Sequence, residues 1–125
     1  MTNIEEEILI CKCLYSLRLF VSTNHLLERE IAVIEAHIAS FFAIPDIEKA
    51  VSEACAVIDE SEKRDACTVG LGFYKVKLER DYPNHPDIEL VDSLMEDIIN
   101  VEGWEPKHNF AHYLSKEAWA MSFNL

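Results

Sequence analysis

The residues of this chain best equipped for chemistry are carboxylates, and they are concentrated. Residues 81–106 hold Asp81, Asp87, Glu89, Asp92, Glu96, Asp97, Glu102 and Glu105 and no lysine or arginine. Residues 1–80 carry fourteen acids against nine bases, and residues 107–125 carry one acid against two lysines. Two-thirds of the formal charge of −12 therefore sits in one short stretch. On a helix, Glu89, Asp92 and Glu96 stand at i, i+3 and i+7 with Asp97 beside them. Like charges at such spacings repel by about a few tenths of a kcal/mol per pair. A face kept acidic without bases to relieve it suits a basic partner, because it steers association and penalises wrong partners. Trp104 follows in Glu102-Gly-Trp-Glu-Pro106, where an aromatic can anchor an interface or fold back as a lid on the core. The expected partner-binding residues are Asp81, Asp87, Glu89, Asp92, Glu96, Asp97 and Trp104. The competing reading is a solvated face neutralised by lysines of a neighbouring helix, such as Lys75 and Lys77.

Other chemistries find less support. His108 and His112 have the spacing of two zinc ligands on one helical face, but His-Asn-Phe-Ala-His lacks the glutamate of the zincin motif and no third ligand is evident. Cys11 and Cys13, two apart on a helix, point about 200° away from each other and cannot share an ion. Cys11, Cys55 and Cys67 fall in or beside apolar stripes, where a thiol acts as a small hydrophobe. Gly70-Leu-Gly72 follows no strand, so it is not a dinucleotide loop, and no glycine-flanked serine, phosphate-cradling loop or reactive-cysteine context is present. The sequence predicts a non-enzymatic protein with no cofactor and no metal.

Composition agrees. A chain of 125 residues, half of them hydrophobic and 27% charged, with three glycines and four prolines, fits one domain over residues 1–125 and is not a disordered or low-complexity segment. It should bury roughly two-thirds of its unfolded surface without a disulfide or metal. Acidity on this scale argues against direct contact with nucleic acid or an anionic membrane. The acidic start and the interrupted apolar run from Ile8 to Val21 fit neither a secretory signal nor a membrane span, so a cytoplasmic protein with reduced cysteines is expected.

The elements that must position the acids are helical throughout. A first helix is expected from a Thr2 cap to about Val21, apolar around most of its circumference from Ile8 onward. The second carries Leu27, Ile31, Ile34, Ile38 and Phe41 on one stripe and ends at Pro45. The third carries Ile47, Ala50, Val51, Ala54, Val57 and Ile58. After the acidic junction Asp59–Glu62, a fourth helix runs to about Asp81, and its mid-helix Gly70 and Gly72 imply that another helix crosses close by. Tyr82–Pro86 is a turn, the fifth helix buries Ile88, Val91, Leu94, Met95 and Ile98, and a last helix spans Phe110 to about Met121 behind an Asn109 cap. No strand signal competes. The fold expected is an all-α bundle of five to six helices with short loops. Asn24-His25 and Asn84-His85, sixty positions apart and each opening an amphipathic helix, hint at two pseudo-repeated hairpins.

In this layout, residues 10 to 100 resemble the TerB-like tellurite-resistance domains, helical bundles with two acidic, metal-associated loops. Where those domains carry Asp-Gly in the first loop, this chain has Ser22-Thr23-Asn24-His25. The resemblance implies a second function, an ion-binding or sensing domain using Asp81, Asn84, Asp87 and their counterparts near Asn24 and Glu28. The first function expected is stoichiometric binding, as an immunity- or inhibitor-type protein that covers a basic, nucleic-acid-handling surface on a partner such as a nuclease toxin.

Overall fold

The computed structural model describes residues 4–104, and these form five α-helices: α1 (Ile4–Thr23), α2 (Glu28–Phe41), α3 (Ile47–Val57), α4 (Asp65–Asp81) and α5 (Asp87–Ile99). A single 3-10 turn, Glu60–Glu62, precedes α4. Among the described residues there is no strand, as the periodicity predicts. The Thr2 cap, the helix expected at Phe110–Met121 and the His108/His112 pair lie outside the described residues.

The connections show why the chain turns where it does. At the end of α2 the Ile44 N–H donates to the Ala39 carbonyl (2.8 Å) and the Ala43 N–H to Ser40 (3.2 Å), the bonding of a Schellman motif. The residue that must turn left-handed there is Ala43, at φ 54°, where glycine is the usual occupant. Pro45 then prevents continuation, and the Asp46 carboxylate caps α3 by accepting from the Lys49 N–H at 3.1 Å. Ala43→Gly is expected to stabilise the protein by about 0.5–1 kcal/mol, because glycine takes this conformation without a Cβ penalty. A thermal melt should rise by a few degrees, and an unchanged or lower midpoint would count against strain at Ala43.

α1 is the hub, packed on α3 and α4, while α5 packs on α4 and α2. Leu14, Leu17 and Phe20 of α1 meet Ile34 and Ile38 of α2, Leu71 and Phe73 of α4, and Leu94 and Ile98 of α5 in one core. The expectation at Gly70 is met: a Cβ built there would lie 2.2 Å from Cys13 Cβ, so α1 and α4 touch backbone to side chain. Several polar groups inside find partners in the core. The buried Ser16 hydroxyl donates to the Lys63 carbonyl and lies 2.9 Å from Cys67 Sγ, and Thr68 donates to the Asp65 carbonyl. Glu6 is buried one turn before Ile10 and faces Lys77 at 3.5 Å. Arg18 ties three helices, holding Glu35 of α2 through two nitrogens and Glu48 of α3 through the third.

Three sequence expectations need correction. Val57 is exposed, because α3 ends there and Ile58 turns to extended backbone. Cys55 is exposed, while Cys13 is fully buried against α4. The two Asn-His turns are not built alike: α2 is entered through Leu27 in a left-handed conformation, and α5 through Pro86 in a right-handed one.

Candidate protein-binding face

α5 positions most of the expected acids, and the helix sorts them by angle. Val91, Leu94, Met95 and Ile98 face the core, leaving Glu89, Asp92, Ser93, Glu96, Asp97, Ile99 and Asn100 exposed on the other side. Among these, Asp92 is neutralised by Lys75 of α4 at 2.6 Å, as the solvated-face reading anticipates. Lys77 goes instead to Glu6 of α1. Asp81, at the end of α4, is exposed and lies against its neighbour Arg80 at 3.2 Å. Among the described residues, Glu89, Glu96 and Asp97 form no ion pair. Most bases of the described residues are already engaged: Lys12 with Glu62, Arg18 with Glu35 and Glu48, and Lys63 with Glu60.

Two expected contact residues leave the set. Asp87 is only 2% exposed. Its carboxylate accepts from the Tyr74 hydroxyl at 2.6 Å and from His37 Nδ1 at 2.8 and 3.0 Å, and the Asp87 N–H donates to His85 Nδ1 at 3.0 Å. It joins α2, α4 and α5 rather than facing a partner. Burial, and then the adjacent Asp87 carboxylate, push the Tyr74 hydroxyl well above the usual tyrosine range, so it remains a donor. Trp104 is also buried: its ring meets Phe20 edge-on at 5.4 Å and Arg64 lies 5.8 Å from the ring centre. Its Nε1–H has no acceptor in normal hydrogen-bond geometry and rests against the Cys67 sulfur, a weak acceptor. Trp104 is the lid and not the anchor.

One exposed apolar residue takes the place beside the acids that Trp104 vacates. Ile99 is 40% exposed and stands three residues after Glu96 and seven after Asp92 on the same face. Its spacing to Asp92 and Glu96 is visible in the sequence and assigns it to the outer surface.

Three of the thiols, Cys11, Cys13 and Cys67, are pushed above the ordinary cysteine range. Burial pushes Cys67 up to about 12 against the opposing pull of Ser16 and the Trp104 indole, and burial raises Cys13 as well. Cys11, half-buried, is raised by burial first and then by Glu53 and Glu7. All four cysteines are free. Among the described residues no group of three or more His, Cys, Asp or Glu is placed to hold a metal. Of the side chains named for an ion site, Asn24 accepts from the Leu26 N–H, Asp81 lies against Arg80 and Asp87 is held in its buried network. No helix among the described residues is long and apolar enough to cross a membrane.

Comparison with protein-family models, with curated proteins and with solved structures finds no match to this chain.

Proposed function

We propose that the protein is a non-enzymatic binding module whose acidic α5 face covers a basic surface of another protein. An immunity- or inhibitor-type role against a nucleic-acid-handling protein such as a nuclease toxin is the fitting class, and four free cysteines suit a cytoplasmic setting. The observation that carries the reading is that Glu89, Glu96 and Asp97 have no counter-charge among the described residues, although Lys75 reaches Asp92 one turn away. Carboxylates left open beside an exposed Ile99 offer charge for steering and an apolar contact for residence. The mechanism is occlusion. The carboxylates pair with the lysines and arginines that would otherwise hold the partner's phosphate substrate.

The test is a charge reversal. A partner captured on the immobilised protein from its native cell, and identified by mass spectrometry, is then followed kinetically at low and high salt. The Glu89→Lys, Glu96→Lys, Asp97→Lys triple variant should keep its helical circular dichroism, because all three side chains are exposed. It should slow association about tenfold or more at low salt, with the difference shrinking as salt rises. Equal association rates for the two proteins at low salt would remove this face from the interface.

A further inference from the structure

A second surface, distant in sequence from α5, has the form of a side-chain socket. Between α1, α3 and the loop that joins α2 to α3 lies a pocket of about 250 Å³. Ile10, Phe42, Ile44, Pro45 and Ala50 give it apolar walls, and Cys11 adds a thiol. Its rim is acidic: Glu7 projects from α1, Glu53 from α3 and Asp46 from the loop, against the single cation Lys49. Asp46 is committed to capping α3, whereas Glu7 and Glu53 are exposed and form no ion pair among the described residues. Both line the pocket together with Cys11, so their charges belong to the same opening. On α1, Ile8, three residues before Cys11, and Ile4, one turn earlier, are 42% and 73% exposed. An apolar hollow with a negative rim selects one shape of guest: an aliphatic stem ending in a cation, whose methylenes leave water while the head stays paired.

We infer that this pocket receives a lysine or arginine side chain of a basic partner protein, with its stem against Ile10, Phe42 and Ala50 and its head between Glu7 and Glu53. The inference rests on the reading that the partner is a basic protein, and it adds a second, separately testable contact to the α5 face.

The experiment titrates the ¹⁵N-labelled full-length chain with n-butylguanidinium, its neutral isostere n-butylurea, and the capped tripeptide Ac-Ala-Arg-Ala-NH₂. A lone side chain should bind with a Kd of order 1 mM, about 4 kcal/mol. The expected result is amide shifts confined to Cys11, Phe42, Ala43, Ile44, Asp46 and Ala50, for the guanidinium and for the peptide, at least fivefold stronger than for the urea. Glu7→Gln/Glu53→Gln should weaken both cations about tenfold. The α5 triple lysine variant should bind them unchanged, so a failure of the α5 reading leaves this result standing and the reverse also holds. Equal binding of urea and guanidinium, no shifts at 20–50 times ~1 mM, or loss of binding in the α5 variant would overturn the proposal, the last by showing only diffuse attraction to net charge. Binding of free butylguanidinium without the peptide would overturn it too, by showing a closed site for small cations.

Discussion

Replacing Gly70 by alanine is expected to cost about 3 kcal/mol, a large fraction of the roughly 5–15 kcal/mol that stabilises a domain. Helix propensity alone predicts the opposite sign, since alanine is favoured over glycine by about 1 kcal/mol in mid-helix. Packing reverses it. The new methyl would sit 2.2 Å from Cys13 Cβ and 2.5 Å from Cys13 Sγ. The sulfur can rotate away, but Cβ is fixed by the backbone of α1, so the two helices must separate by more than 1 Å to reach ordinary contact at about 3.5–4.0 Å. That movement opens the core that both helices share. Urea unfolding followed by circular dichroism should show the loss as a lower midpoint. Cys13→Gly/Gly70→Ala moves the small residue to the facing helix, where the new Cβ meets Cys13 Cα at 3.4 Å, and it should recover part of the loss as a coupling of 1 kcal/mol or more. An alanine variant as stable as the parent would mean that α1 and α4 are not in this close register.

Legibility in the sequence followed periodicity. The five helices and most of their core stripes can be read because each repeats at 3.6, and Gly70 declares its close crossing by standing in mid-helix where alanine would be better. Asp87 is legible in principle, but its charge points to the surface. It stands four, seven and eleven residues before Val91, Leu94 and Ile98, on the buried stripe itself, and it can be buried because Tyr74 and His37 arrive from two other helices. Those partners lie 13 and 50 residues away in sequence, and no local pattern announces them. The pairing of Asp92 with Lys75 was foreseeable from composition, whereas the diversion of Lys77 to Glu6 depends on how α1 lies on α4. Trp104 illustrates the same limit, since whether an aromatic after a helix is lid or anchor is decided by the space above Phe20. The α1–α3 pocket was not legible at all, because its walls come from three segments that only tertiary packing assembles.

Electrostatically, folding divides the acids into three groups. Some are absorbed into the scaffold, as Glu6, Glu35 and Asp87 are, and some are neutralised at its surface, as Asp92, Glu48 and Glu62 are. Others form no ion pair among the described residues: Glu89, Glu96 and Asp97 on the outer side of α5, and Glu7 and Glu53 at the α1–α3 pocket. In the proposed function, open carboxylates next to exposed Ile99 in one case and exposed Ile8 in the other would serve together. The pairing of charge with apolar surface is what a basic protein partner can use.

The buried network behind α5 should be as sensitive as the Gly70 contact, and with a definite order among its members. Asp87→Ala is expected to cost about 3 kcal/mol: it deletes two charge-assisted hydrogen bonds, each worth about 1.5–3 kcal/mol, and leaves the Tyr74 hydroxyl buried without an acceptor. Tyr74→Phe removes the donor but leaves Asp87 paired with His37, so about 1–2 kcal/mol is expected. Tyr74→Phe/Asp87→Ala leaves no orphaned hydroxyl and should cost less than the sum of the single changes. His37, whose side chain is 48% exposed, can be solvated when its partner is lost, and His37→Ala should cost under about 1 kcal/mol. Urea midpoints across the four variants read the order directly, and amide exchange in residues 87–91 locates the effect at the start of α5. If His37→Ala matched Asp87→Ala in cost, the ion pair to α2, rather than the Tyr74 bond from α4, would be what seats α5 and so sets the direction its acidic face points.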